Sequence, residues 1–514
     1  MSTEETRSNS LRLVVLNGQE VGDEPPDGGG GGDGGGGEGG AVVQRVWCSD
    51  DMLAAKLSEA LAEDWRYVPK RDAWFRWTGR RWECEELGKV FNLSREVCRG
   101  IALQVDTGKL QRDVSSKSRI YAAVALAGKD PRHATALEEF DRDDWRLNTP
   151  LGIVDLRTGQ LLDHDRGALM TRMTTAGPGP DDRCPKFLAY LREATGGDEQ
   201  LQRFLQRVAG YCLTGSIEEH AIFFLYGPGG TGKSMFLLLL FELLADYATK
   251  AEMEIFTVAT GERHSAPLAT LHGARLVIAS ETDEGKRWDE AKLKSITGGD
   301  PITANFMRGN PFTFRPKFKL LIAGNHRPRL RSADDAMRRR LHVIPFKVKP
   351  AQINKGLIDE LRPELGGILK WAIEGELERQ RIGLAPPRVV VEATDEYFEA
   401  ENTIGRWVDE RCTKGPQLTA PTKGLYADFK SWAARAGEFA VSERLFLQKL
   451  LLMAGIEPWR DRTQRGVRGV ALRETGADLF DAATPAPRGA GGLSHDPGGA
   501  ESWRADPGDD YPRE

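Results

Sequence analysis

The feature that most constrains this chain is the run Gly227-Pro-Gly-Gly-Thr-Gly-Lys-Ser234, set between two apolar segments. His220–Tyr226 before it reads as a largely apolar strand, and Lys233–Tyr247 after it as a helix with a strongly apolar face. The run matches G-x-x-x-x-G-K-[ST] in the context that motif needs, after a strand and opening a helix. Its glycines let the backbone turn N–H groups inward around an anion, and the helix adds its positive end. Gly227, Pro228, Gly229, Gly230, Thr231, Gly232, Lys233 and Ser234 are therefore expected to cradle phosphates. Lys233 would place its charge on the β- and γ-phosphates and Ser234 its hydroxyl on Mg2+, so the implied ligands are ATP and Mg2+.

The surrounding residues supply the rest of such a site. Arg275–Ala279 and Lys319–Ala323 are short strands, apolar after their first residue. Continuous apolar strands between helices indicate a parallel sheet covered on both faces, hence an α/β fold. Glu281 follows the first of these strands, with Asp283 and Glu284 close behind. Glu281 can polarise water and share Mg2+ with Ser234; the plainer reading is an acidic loop after a core strand. Asn325 lies just beyond the other strand, where ligands of open α/β sheets gather, and its amide can orient a water or sense a terminal phosphate. Arg339 and Arg340 follow in Met337-Arg-Arg-Arg-Leu341. One of them can project into a neighbouring subunit's site, or the run is a solvated basic face.

At 514 residues the chain is too long for one ordinary core. Residues 1–45 carry a Gly-rich tract and the segment from 476 to 514 is rich in Pro, Gly and Asp, so both are expected to be disordered. Residues 46–200 read as a mixed α+β domain, with a helix over Met52–Glu63 and hairpins around Thr78-Gly79 and over Gly152–Leu162. The aromatics from Trp65 to Trp82 suit either a small β-sheet core or stacking on single-stranded bases. Residues 201–350 hold the α/β core. Residues 351–415 are largely helical, with helices expected over Gly366–Arg381 and Val389–Cys412. Residues 416–475 hold helices over Leu425–Ala436 and Glu443–Ala454, the latter capped by Ser442, then a short hairpin over Arg465–Arg473.

No run of eighteen apolar residues and no signal-peptide core is present, which leads to the expectation of a cytoplasmic protein with no membrane partner. The six cysteines form no Cys-x-x-Cys pair, and buried thiols are expected rather than a zinc site. Net charge is −5, unlike a typical nucleic-acid binder, but charge is unevenly spread. Between Ile302 and Pro350 there are twelve Lys/Arg and only two acids, Asp334 and Asp335.

The order of these parts resembles the superfamily-three helicases, a branch of the AAA+ ATPases, and within them the phage/plasmid primase–helicase family that also includes poxvirus primase–helicases. The resemblance is carried by Arg275–Glu281, Leu293–Thr303, Phe314–Lys319, Ala323-Gly-Asn-His-Arg-Pro328 and Arg339–Phe346. Upstream, Leu147–Leu156 and Leu201–Gly215 resemble that family's pre-helicase domain, and the C-terminal module resembles its winged-helix end. The resemblance implies an AAA+-type P-loop core, a homo-hexameric ring and ATP-driven, usually 3′→5′, movement on one DNA strand. It implies a replicative DNA helicase of a phage, plasmid or other mobile element, working beside primase, polymerase or initiator partners.

In the resembling helicases a hairpin grips the strand inside the ring. Thr303–Met307 and Pro311–Arg315 flank Arg308-Gly-Asn310 here, so Arg308 is the first candidate for phosphate contact, followed by Lys292 and Lys294. A surface hairpin with one exposed arginine is the plainer alternative. Arginines 460, 462, 465 and 468 cluster near the expected wing, which suits either duplex DNA or a protein partner. Two departures from the family stand out. Many members carry two adjacent acids where this chain has Ser280-Glu281, and larger members carry an N-terminal primase domain where this chain has a Gly-rich tract. Primase activity is therefore not expected from this chain. The competing function is an AAA+ initiator or helicase loader that binds DNA without unwinding it.

Overall fold

The computed structural model describes residues 48–179, 183–258, 266–280, 287–305, 311–330, 334–350, 352, 354–438, 440–460 and 464–473. Glu281, Asp283, Glu284, Arg308, Arg462 and both terminal tracts lie outside the described residues.

The N-terminal part begins with the helix Asp50–Leu61. Ser49 Oγ accepts the Met52 N–H at 3.1 Å, and two acids occupy the positive first turn. Strands β1 (Trp65–Val68), β2 (Ala73–Trp77) and β3 (Trp82–Cys84) form an antiparallel sheet in that order, with the turn around Thr78-Gly79 joining β2 to β3. Trp65, Trp74, Phe75 and Trp82 are buried, so these aromatics are core. Their alternation between the two faces of short strands explains the spacing that also suited base stacking. The helices Lys89–Ala102 and Lys117–Ala127 close this core against the first helix. A second antiparallel sheet follows, β4 (Arg146–Thr149), β5 (Gly152–Asp155) and β6 (Gln160–Leu162).

The central sheet contains β7 (Ile222–Tyr226), β8 (Ala248–Lys250), β9 (Leu276–Ser280), β12 (Lys319–Gly324) and β13 (Leu341–Pro345). All its pairings are parallel, in the order β13-β7-β12-β9-β8. Between β9 and β12 the small hairpin β10 (Ile302–Ala304) and β11 (Phe312–Phe314) stands apart, in the register Thr303↔Thr313. Along β7, Phe223 and Leu225 enter one hydrophobic cluster and Ile222 and Phe224 the other, so each face of the sheet has its own core. The helix Lys233–Leu244 packs into the first cluster together with the helices Pro185–Ala194, Glu199–Leu213 and Leu365–Ile382.

Glu199–Leu213 and Leu365–Ile382 approach backbone to backbone at a pair of glycines. A Cβ on Gly210 would lie 2.3 Å from Glu376 N, and one on Gly375 2.1 Å from Gln206 O. At the carboxyl end of the former helix, just past Gly210, the Lys319 side chain is bonded to the Thr214 carbonyl, and Arg275 Nη1 donates to the Leu213 carbonyl at 2.5 Å. Two basic side chains thus sit on the negative end of that helix and tie it to Arg275, immediately before β9, and to Lys319, the first residue of β12.

The helix Arg388–Ala400 covers the edge strand β13, where Thr394 Oγ1 accepts the Val343 N–H at 3.0 Å. The expected single helix over Val389–Cys412 is two helices: Asn402 interrupts it and caps the next one, Thr403–Arg411, by accepting the Gly405 N–H at 3.0 Å. The C-terminal module then combines β14 (Cys412–Pro421), β15 (Glu457–Arg460) and β16 (Arg465–Leu472) with the helices Thr422–Arg435 and Glu443–Leu451. The segment expected to fold as a hairpin over Arg465–Arg473 is instead the one strand β16, central between β14 and β15. Its glycines at 466 and 469 read as turn signals but mark close backbone approach: a Cβ on Gly466 would lie 2.1 Å from Ala420 O. Ser442 occupies the N-cap position, but its side chain makes no capping bond.

Candidate functional site

The run Gly227–Ser234 leaves the carboxyl end of β7 and enters the helix Lys233–Leu244. Gly227, Gly230 and Gly232 all have positive φ, and the first and last of them meet close neighbours. Gly227, at φ +153°, has no room for a side chain, because a Cβ would lie 1.9 Å from the Phe346 carbonyl oxygen just beyond β13. Gly232, at φ +92°, lets the chain turn into the helix directly over the ring of Tyr190.

Lys233 lies inside the loop and is only 5% exposed. Its Nζ donates to the carbonyls of Gly227 at 2.6 Å and Pro228 at 2.7 Å, to Thr231 Oγ1 at 3.4 Å and to Asn325 Oδ1 at 3.1 Å. Burial pushes the lysine below its ordinary pKa, since the ammonium gives up water for neutral oxygens. Asn325 reaches Lys233 because β12 lies directly beside β7, in the register Gly324↔Tyr226. Ser280, Ala323, Gly324 and Asn325 line one side of a cleft of about 350 Å3, and Gly229–Met235 the other. Open backbone, one buried cation and a polar amide at the carboxyl ends of adjacent parallel strands form a surface that fits a phosphate group.

The sequence-selected residues fall into three groups. Lys233, Asn325 and the loop residues from Gly229 to Ser234 come together in this cleft. Ser280, at the end of β9, lines it too, and Glu281 is the next residue in the chain, outside the described part. Of the remaining described candidates, Arg340, Lys292 and Lys294 have contacts of their own and the other arginines are exposed. Arg340 donates from Nε to Thr297 Oγ1 at 3.2 Å and from Nη1 to the Ala336 carbonyl at 2.8 Å, whereas Arg339 is exposed. Lys294 pairs with Asp334 at 2.5 Å, and Lys292 lies 3.9 Å from Asp289. Arg460, Arg465 and Arg468 are exposed on β15 and β16.

Tyr190 was not selected from sequence. Its hydroxyl donates to the Gly232 carbonyl at 2.8 Å from the helix Pro185–Ala194, and burial pushes its pKa far up, so it remains a neutral donor. In the sequence it is one aromatic on an amphipathic helix, with nothing to separate it from the core residues beside it. Arg327 is a second such residue. Its guanidinium lies 4.1 Å from the centroid of Tyr226, the residue immediately before the loop. Among the described residues there is no group of three or more His, Cys, Asp or Glu arranged to hold a metal, and no helix long and apolar enough to cross a membrane.

Fold and site together define a parallel α/β protein with a glycine-rich loop closed around a buried lysine. Residues 54–196 match the family model described as "D5 N terminal like", and residues 225–340 match a "Family of unknown function (DUF5906)". Tyr190 falls in the first match and Lys233, Asn325 and Arg340 in the second. "Putative helicase L207/L206" of Acanthamoeba polyphaga mimivirus is 30% identical over 325 residues, covering 58% of this chain and 34% of that protein. "Primase D5" of Fowlpox virus is 25% identical over 180 residues, covering 33% of this chain and 22% of that protein. The chain thus spans about a third or less of the length of these curated relatives. Among solved structures, "The A form apo structure of NrS-1 C terminal region-CTR" aligns with 81% of this chain and 98% of its own at 11% identity, with a TM-score of 0.45. These matches support a place for the chain among primase–helicase proteins.

Proposed function

We propose that the chain is a P-loop ATPase of the AAA+ type whose hydrolysis drives a DNA helicase. The observation that carries the reading is the contact of Lys233 Nζ with both its own glycine-rich loop and Asn325. A triphosphate entering the cleft supplies the anion that the buried ammonium lacks. Lys233 then exchanges neutral carbonyl partners for phosphate oxygens, and the Asn325 amide is freed to orient water against the terminal phosphate. Ser234 and Glu281 are the residues that would hold Mg2+, which shields phosphate charge when bound. An arginine from a neighbouring subunit completes the site; Arg339 suits that role better than Arg340, because its guanidinium is exposed while that of Arg340 is tied to its own chain. The names helicase and primase on the viral relatives favour DNA as the track, and Arg308, between β10 and β11, is the proposed strand contact.

The test is unwinding of a forked duplex by the wild type, Lys233→Ala and Arg308→Ala. A helicase loses ATP-dependent unwinding in both variants while Arg308→Ala keeps ATP hydrolysis. DNA-stimulated hydrolysis without strand separation by the wild type would replace the helicase with an initiator or loader. Absence of Lys233-dependent ATP hydrolysis would end the ATPase reading as well.

A further inference from the structure

Asn325 is exposed and sits on a loop, yet the proposed chemistry needs its amide fixed. The residues after it are pinned one by one from outside the sheet. Arg327 stacks on Tyr226 and faces the ring of Tyr397 at 5.8 Å. The Pro328 carbonyl accepts the Tyr397 hydroxyl, which in turn accepts Trp288 Nε1–H at 3.0 Å. The Arg329 carbonyl accepts the Trp288 N–H at 3.1 Å. The Leu330 N–H donates to Glu401 Oε2 at 2.9 Å.

Glu401 is the residue that makes this arrangement unusual. It stands at the joint between the helices Arg388–Ala400 and Thr403–Arg411, and burial holds its carboxyl above the ordinary range. Its carboxylate is half-buried, with the Arg329 and Arg406 guanidiniums acting on it in favour of the charged form, and one of its oxygens is committed to a backbone N–H. What the bond does achieve is to hold the end of the six-residue segment 325–330, whose other end touches Lys233. Glu438 of the C-terminal module lies 3.7 Å from Arg329 on the same segment, and its other oxygen pairs with Arg406 at 2.5 Å. The segment therefore meets the phosphate loop at one end and the joint to the C-terminal module at the other.

We propose that Glu401 is a positioning residue of the nucleotide site, acting through residues 325–330 to hold the Asn325 amide in register with Lys233. The inference rests on the ATPase reading. Because an amide that orients the attacking water acts in the transition state, its misplacement lowers kcat and leaves ground-state nucleotide binding nearly intact.

The experiment measures initial rates of ATP hydrolysis against ATP concentration for the full chain, with Glu401→Ala, Glu401→Gln and Tyr397→Phe, and binding of a non-hydrolysable ATP analogue to each. Glu401→Ala is expected to lower kcat about fivefold, equivalent to losing one backbone hydrogen bond, with KM and analogue affinity within about twofold of wild type. Glu401→Gln is expected to restore most of kcat, because its amide oxygen accepts the same Leu330 N–H. Should Glu401→Ala fail to fold, Tyr397→Phe carries the test, with the same kcat-selective loss expected. Wild-type kcat in the folded variants, or equal losses of kcat and analogue affinity, overturns the proposal while leaving the ATPase intact. A wild type that neither binds nor hydrolyses ATP overturns both.

Discussion

The Tyr190 hydroxyl offers the sharpest test of whether the glycine-rich loop is shaped from outside itself. Tyr190→Phe removes one oxygen and leaves the ring packed beneath Gly232. The deleted bond is a neutral, partly buried one of 2.8 Å to the Gly232 carbonyl. That carbonyl keeps a second donor, the Phe236 N–H at 3.1 Å, so it is not left unsatisfied. The cost is therefore that of an ordinary intramolecular hydrogen bond, about 1 kcal/mol, without the added penalty of an orphaned acceptor. If the bond favours the conformation that binds phosphate, about 1 kcal/mol appears as a roughly fivefold weaker affinity for nucleotide. The assay is titration of the full chain with a fluorescent ATP analogue, read by anisotropy, alongside thermal melting of the same samples. Affinity within about 1.5-fold of wild type would show that the hydroxyl does not shape the loop. A large drop in melting temperature with unchanged affinity would make Tyr190 a core residue only. Gly232→Ala provides the complementary perturbation, since its Cβ would lie 3.1 Å from the same ring at a φ of +92°. Its effect on affinity should exceed that of Tyr190→Phe.

Three further outcomes follow from the same contacts. Lys233→Met should reduce ATP hydrolysis at least about 100-fold yet melt at or above the wild-type temperature, because it removes a buried ammonium that only neutral oxygens solvate. Gly227→Ala should lower stability by more than about 3 kcal/mol in denaturant unfolding, since a Cβ 1.9 Å from Phe346 O forces β13 away from β7. His342, stacked on Phe223 at 5.5 Å, has its pKa pushed down to about 4 by burial. The folded chain then refuses a proton that the unfolded chain takes up at its ordinary value near 6.5, so this contribution is complete above about pH 6.5 and is lost as pH falls towards 4. Unfolding free energies at pH 7.5 and pH 5 should differ by about 1–2 kcal/mol less in His342→Phe than in the wild type.

The legible parts of this molecule are those written in consecutive residues. The glycine spacing of 227–234, the apolar runs before and after it, and the polar residue just beyond β12 can each be read locally, because backbone freedom and alternation with burial act over a few residues. The misread parts are those where the same local signal has two physical origins. Glycines 466 and 469 resemble a turn, but they permit close approach in a central strand. The apolar pattern of Val389–Cys412 continues through a break that Asn402 imposes with its own side chain.

By itself the sequence determined that a glycine-rich loop would follow a buried strand and open a helix at Lys233. Only the tertiary structure decided who stands around that cation. The placement of β12 beside β7 brings Asn325 within 3.1 Å of Lys233 although 92 residues separate them. The same packing selects Tyr190 and Glu401, which no motif marks, and ties Arg340 to Thr297 while leaving Arg339 exposed. The physical reason is range: glycine conformation and apolar periodicity are properties of neighbours along the chain, whereas hydrogen-bond partners are chosen by strand order and helix packing.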